Sequence, residues 1–198
     1  MSRPMTLTPS STDIELLRDM RGGKHAAFQA LYLRHQGPLF RYATLRSGSQ
    51  ASAADIVQEI FIGLLTDSFQ FDPLRGQLGH FLFGVARKLI LKHEHARRLS
   101  PLPELDEGDE LELPCDAPEP LARMLSNEVA EQVRQAIALL PPHYRDIVIL
   151  YEMHDLSYLE IAAICQIEIG TVRSRLSRAR AALAKRLGAF SPVMNNAA

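Results

Sequence analysis

The chain has 198 residues, 46% of them hydrophobic, with 22 Lys or Arg against 23 Asp or Glu and a net charge of -1. That is apolar material for one ordinary domain or two small ones, and no stretch is long and apolar enough to cross a bilayer as a helix. Two cysteines without CxxC spacing, and a close His93/His95 pair with no cysteine nearby, argue against a disulfide framework, a metal site or a bound cofactor.

Met1 to Ser11 is rich in Ser, Thr and Pro and lacks an apolar export core, so a disordered tail and a cytoplasmic location are expected. Asp13 to Arg21 reads as a short helix stopped by Gly22-Gly23. Lys24 to Arg46 reads as a second, with Phe28, Leu31, Tyr32, Leu39 and Tyr42 in the core and a kink or break at Gly37-Pro38. A third, from Ser52 to Ser68, buries Ile56, Ile60 and Leu64 and carries Asp55, Gln58, Glu59 and Ile62 on another face; Ser52 and Asp55 also fit a capping box. A fourth, from Leu78 to Arg98, buries Phe81 or Leu82, Val85 and Leu89, leaving His80, Arg87, Lys88, Lys92, Arg97 and Arg98 on its other faces. Between them, Phe69 to Gln77 combines aromatics and Arg75 in a turn-rich loop, which suits bases withdrawn from a stack.

Leu99 to Pro120 holds eight Asp or Glu, five prolines and no Lys or Arg, the composition of a linker. Beyond it, Asn127 to Leu140 places Ala130, Val133, Ile137 and Leu140 on one helical face ended by Pro141-Pro142, and a further helix crosses Ile147 and Leu150. Ser157 and Glu160 then form a capping box that should start a helix burying Ile161, Ala162 and Ile164. After a turn at Gln166-Ile167-Glu168, Val172, Leu176, Ala179, Leu183 and Leu187 recur at helical spacing. This is a helix-turn-helix. Between Ile169 and Phe190 stand six Lys or Arg and no Asp or Glu, and Thr171, Ser174 and Arg178 point away from the apolar stripe. Arg can bridge a guanine edge, and Ser or Thr can bond bases or phosphates. A solvated amphipathic face is the competing reading of the arginines alone.

The fold class is therefore all-α, with two small helical domains at 12–98 and 123–188, an acidic Pro-rich linker at 99–122, and tails at 1–11 and 189–198. No nucleophile paired with a base and no phosphate-cradling loop emerges, so an enzyme is not expected. A stand-alone helix-turn-helix regulator, or a module that captures a partner through its first domain, remains open on these residues.

Asp55-Ile56-Val57-Gln58-Glu59-Ile60-Phe61, Phe71-Asp72-Pro73-Leu74-Arg75-Gly76, Phe81-Leu82-Phe83-Gly84-Val85-Ala86-Arg87, Leu140-Pro141 and the helix-turn-helix occur in one order. Over residues 13–188 that order resembles the bacterial extracytoplasmic-function sigma factors of the sigma-70 family. The resemblance implies sigma regions two and four, core RNA polymerase and promoter DNA as partners, and control by an anti-sigma factor or a Ser/Thr kinase. It implies that Asp55, Gln58 and Glu59, with Phe61 and Ile62, dock on the polymerase beta-prime clamp helices. Phe71, Arg75, Phe81, Arg87 and Lys88 are implied to open the minus-10 element, with Arg97 and Arg98 on phosphate. Thr171, Arg173, Ser174, Arg175 and Arg178 are implied to contact the minus-35 element, with Tyr158 and Glu160 at its rim. The chain departs from the family pattern at Ser52-Ala53-Ala54, where acidic residues are usual, at Phe81, usually tryptophan, and at Lys88, often asparagine. The first departure points to phosphorylation at Ser52, or at Ser49 or Ser47, as a source of the missing charge. The linker is open to three readings: a mimic of RNA in the polymerase channel, a solvated leash, or a screen over the basic faces.

Overall fold

The computed structural model describes residues 11–99 and 120–189, and among these it is built of α-helices with one short 3-10 turn. The expected linker from Ser100 to Glu119, with Cys115, and both tails beyond residues 11 and 189 lie outside the described residues.

Helix α1 (Asp13–Arg21) begins in a capping box in which the Thr12 amide donates to Glu15 at 2.8 Å and the Glu15 amide donates back to the Thr12 hydroxyl at 3.3 Å. It buries Leu16, Leu17 and Met20. Helix α2 (His25–Ser47) is the central column, packed on α1, α3 (Gln50–Leu65) and α4 (Leu78–Leu99). It continues as one α-helix through Gly37-Pro38, so the segment is not divided there. Pro38 removes one amide from the ladder, and the burial of Leu31 and Leu39 on either side offsets that loss. It ends at Gly48, whose φ of 79° is the left-handed cap that glycine adopts without a side-chain penalty.

Helix α3 starts earlier than expected. Ser49, in extended conformation, is its N-cap and accepts from the Ser52 amide at 3.2 Å, so Ser52 lies inside the first turn and forms no box with Asp55. Ile56, Ile60 and Leu64 are buried as expected, and so are Val57 and Phe61, because α3 packs on both α2 and α4. Phe61 is 3% exposed, with its ring edge-on to Phe28 and 4.8 Å from Tyr32. It is a core residue, which corrects its placement on the docking face.

In the second unit, α5 (Pro120–Ala138) begins before Asn127. It leads to α6 (Pro142–Glu152), α7 (Tyr158–Cys165) and α8 (Ile169–Ala189). Five consecutive residues of α6, Asp146 to Leu150, are buried, which one-sided packing of a helix cannot produce. The second covered side of α6 lies against α2 of the first unit.

The loop after α3 is fastened at Gly63. A Cβ there would stand 2.1 Å from the Phe69 ring, and the Phe69 amide donates to the Gly63 carbonyl at 3.2 Å. Gly63→Ala should destabilise the chain by about 1–3 kcal/mol through overpacking, as read by urea unfolding. Gly84→Ala, where a Cβ meets nothing within 4 Å, should be neutral or stabilising by up to about 1 kcal/mol through helix propensity. Equal effects would contradict the ring-on-glycine anchor.

Candidate nucleic-acid and polymerase interfaces

The helix-turn-helix forms as its sequence dictates. The Ser157 amide donates to Glu160 at 2.7 Å, and the Glu160 amide reaches the Ser157 hydroxyl at 3.4 Å, closing the capping box. These bonds hold the Glu160 carboxyl below its ordinary value. Gln166, with φ of 56°, makes the left-handed turn, and α8 follows with Val172, Leu176 and Ala179 buried. Arg173, Ser174 and Arg178 are exposed, Thr171 and Arg175 are half-buried, and Thr171, Ser174 and Arg178 share one stripe of α8. The Ser174 hydroxyl donates to the Thr171 carbonyl at 3.1 Å.

The cations of α8 have different occupations. Arg180 pairs with Glu152 at 2.7 Å and lies over the Tyr151 ring, while Arg186 donates to the Leu139 carbonyl at 3.3 Å; both tie α8 to its own unit. Arg173 lies over Tyr158 at 5.8 Å, and Tyr158 stacks on Tyr151.

In the first unit, the loop expected to handle bases is shaped by Asp72, which accepts from the Leu74 amide at 3.0 Å and caps the 3-10 turn Pro73–Arg75. Phe71 is half-buried against Phe81, with ring centroids 5.5 Å apart, whereas Arg75, Lys88 and Arg97 are exposed. The Arg98 side chain is outside the described residues. Leu74, at the loop tip, is 96% exposed. It lies in the turn-rich loop read from the sequence, where it was not singled out.

Asp55, Gln58 and Ile62 form an exposed stripe on α3. Glu59, at its edge, lies 3.4 Å from His93 and 3.7 Å from Lys92. Ser52 is half-buried in the first turn of a helix that has no acidic residue there.

Sequence reasoning missed the cluster between the units. Arg46, fully buried, donates to Asp146 at 2.5 Å and to Glu94 at 2.5 Å. Asp146, 2% exposed, also accepts from the Tyr42 hydroxyl at 3.1 Å and from Arg87 at 3.0 Å. Arg87, expected on the minus-10 face, is thus turned into this contact. Burial opposes the charge of Arg46, but the Glu94 hydrogen bond and the Asp146 charge more than compensate and raise its pKa. Arg145 donates to the Arg46 carbonyl at 2.8 Å and to the Ala138 and Leu140 carbonyls, placing one cation at the C-terminal ends of α2 and α5. His80 of α4 stands 3.5 Å from Glu160 of α7. His154 fills the remaining gap, 4.7 Å from the Phe83 ring and 6.4 Å from Tyr42, with a buried Nε2 that has no hydrogen-bond partner.

Two helical units, one ending in a basic helix-turn-helix and the other carrying an exposed acidic and amide stripe beside an aromatic and basic loop, define a two-part DNA-recognition protein. Residues 31–99 match the family model for sigma-70 region 2, and residues 130–183 match that for sigma-70 region 4. The chain is 31% identical over 196 residues to the RNA polymerase sigma-H factor of Pseudomonas aeruginosa, covering 93% of this chain and 97% of that protein. It is 31% identical over 157 residues to the extracytoplasmic-function sigma factor SigE of Mycolicibacterium smegmatis, covering 78% of this chain and 59% of that protein. Its fold is similar to that of the sigma factor RpoE of Bartonella quintana, solved in complex with the anti-sigma factor NepR. There the TM-score is 0.62 at 25% identity, covering 81% of this chain and 96% of that one. The chain belongs to the extracytoplasmic-function class of the sigma-70 family and is an RNA polymerase sigma factor.

Burial, and after it the Arg41 charge, push the His154 pKa down from 6.5 to about 4, while Asp155 opposes the shift. A depressed histidine value means that the packed form binds fewer protons than a form with His154 in water. Its stability is therefore full above pH 6.5 and falls as pH drops toward 4. Between pH 7 and pH 5 the loss from this residue should be about 1–2 kcal/mol. Thermal melts should show a shallower acid dependence in His154→Leu than in the wild type; parallel pH profiles would contradict the assignment.

Proposed function

We propose that the chain engages core RNA polymerase through α3 and promoter DNA through two separate faces. The unit at 12–98 docks on the beta-prime clamp helices through Asp55, Gln58, Glu59 and Ile62, where an acidic and amide stripe suits a basic partner and Ile62, 50% exposed, supplies an apolar anchor. The same unit assists minus-10 opening with Phe71, Arg75, Phe81 and Lys88. Arg87 joins them once it is released from Asp146, and Arg97 binds phosphate. Bases drawn from the stack cost a few kcal/mol, which aromatic faces and cations offset. The unit at 123–188 contacts the minus-35 element through Thr171, Arg173, Ser174, Arg175 and Arg178, with Tyr158 at the rim. Glu160 serves that surface by capping the helix beneath it, and the acidic segment 99–122 tethers the two units.

The observation that carries this reading is the Thr171, Ser174 and Arg178 stripe on a helix with four arginines in its first twelve residues and no acidic group. An anti-sigma factor is a fitting partner, because the similar sigma factor from Bartonella quintana was solved with one. Among the described residues no helix is long and apolar enough to cross a membrane, which fits action in the cytoplasm. The chain acts as a recognition subunit and not as an enzyme. Phosphorylation of Ser52 would add negative charge to the first turn of α3, where the helix dipole favours it and acidic residues are lacking.

Run-off transcription with core polymerase on genomic promoter fragments tests the reading. Transcripts should depend on this chain, and Arg178→Ala should weaken promoter binding by about 1–3 kcal/mol, roughly 5- to 150-fold, with relaxed specificity at one base pair. Tight duplex binding without polymerase, and no transcripts, would favour a stand-alone regulator instead.

A further inference from the structure

Two tyrosines of the helix-turn-helix unit are stacked on each other, and each carries a guanidinium of α8. Tyr151, near the end of α6, and Tyr158, the first residue of α7, lie with ring centroids 5.3 Å apart and planes 25° from parallel. Arg173 lies over Tyr158 at 5.8 Å from its centroid, and Arg180 lies over Tyr151 at 5.0 Å. The chain of contacts therefore runs Arg173, Tyr158, Tyr151, Arg180. It ends on Glu152, which accepts from Arg180 Nε at 2.8 Å and pairs with its Nη2 at 2.7 Å. We propose that Tyr151 and Tyr158 are positioning residues for promoter recognition: the stacked rings hold the Arg173 guanidinium in one plane, with its N–H edge free to bond a single minus-35 base pair. The inference rests on the minus-35 reading above and deepens it.

The first argument is what each contact occupies. A carboxylate engages a guanidinium along its N–H edge, whereas a ring engages the face and leaves the donors unused. Glu152 thus commits Arg180 to the fold. Arg173, which has no carboxylate partner among the described residues, keeps its donors available. The second argument is position. Arg173 and Arg180 share one face of α8, about two turns apart. Only Arg173 stands near the N-terminus of α8, the end of a recognition helix that meets base edges. The third is the cost of ordering. A long side chain held in place before binding loses less freedom when it binds. Arg178, exposed and without a ring or carboxylate contact among the described residues, lacks that support. The rings are themselves well placed to act as a base for Arg173. The Ser157 and Glu160 capping box fixes where α7 begins, and with it the root of Tyr158, and both rings are half-buried. Contact between Tyr151 and Arg173 runs through Tyr158, so a change at Tyr151 reads the stack alone.

Side-chain NMR of the free full chain tests the stack without requiring sigma activity. The Arg173 Nε–H signal, assigned by its loss in Arg173→Lys, should be shifted upfield by the Tyr158 ring in wild type and in Tyr151→Phe. It should move toward the ordinary arginine position in Tyr151→Leu, and also in Arg180→Gln, a change at an exposed site that spares the core. An unshifted wild-type signal, or one unmoved in both Tyr151→Leu and Arg180→Gln, would overturn the stack. Promoter binding by the holoenzyme is then compared across single base-pair changes in the minus-35 element. Arg173→Ala should remove discrimination of about 5- to 150-fold at one base pair. Tyr151→Leu should lose about 2- to 5-fold at that same base pair and stay within about twofold of wild type elsewhere, and Tyr151→Phe should keep the wild-type profile. Uniform weakening across the element in Tyr151→Leu would mark a packing residue and overturn the positioning role. So would a wild-type profile in Tyr151→Leu beside a lost base pair in Arg173→Ala, which leaves the minus-35 reading intact. Arg173→Ala equal to wild type at every base pair would overturn the minus-35 reading of Arg173 and the positioning role with it, even with the NMR shift present.

Discussion

A carboxylate with 2% of its surface exposed must be matched, because an unpaired buried charge costs several kcal/mol. For Asp146 the match comes entirely across the junction between the two helical units, from a hydroxyl and two guanidinium groups. The packing of α6 against α2, the lodging of His154 between Phe83 and Tyr42, and the reach of Arg145 to the end of α2 all accompany that pairing. Remove the charge match and the apolar part of the junction has to hold the units together unaided.

Each unit has its own supports besides. Thr12 with Glu15, and Ser157 with Glu160, fix two helix starts with reciprocal bonds made from residues three apart. The Phe69 ring on Gly63 secures the loop that presents Phe71 and Leu74. Arg180 and Arg186 hold α8 to α6 and to the end of α5, leaving Arg173 and Arg178 on the exposed side. The division of labour among chemically identical side chains follows from their position on the helix.

Local signals account for what the sequence made legible. The helix-turn-helix, its capping box and its buried stripe at Val172, Leu176 and Ala179 are all encoded at short range, and the structure has them. The α3 cap was placed three residues late because Ser49 and Ser52 both offer a capping hydroxyl, and only the backbone conformation at Ser49 chooses between them. Phe61 was misplaced because helical periodicity gives one apolar face, whereas α3 is covered on two sides. Arg46, Asp146 and His154 were invisible as a cluster: Arg46 is 100 residues from Asp146 in sequence, and charged residues are by default exposed. The run from Asp146 to Leu150 held a partial clue, since four consecutive apolar residues after an acid exceed what one helix face can bury.

The central claim is that the Thr171, Ser174 and Arg178 stripe of α8 faces the minus-35 element when the chain is on RNA polymerase. Its most direct test is cleavage of promoter DNA by an iron chelate tethered to α8 at Ser177→Cys, an exposed position beside that stripe, in a chain carrying Cys115→Ser, with Cys165 buried. With core polymerase bound, the account predicts strand cuts confined to the minus-35 element. Cuts centred on the minus-10 element, or none in a complex that still forms, would contradict it.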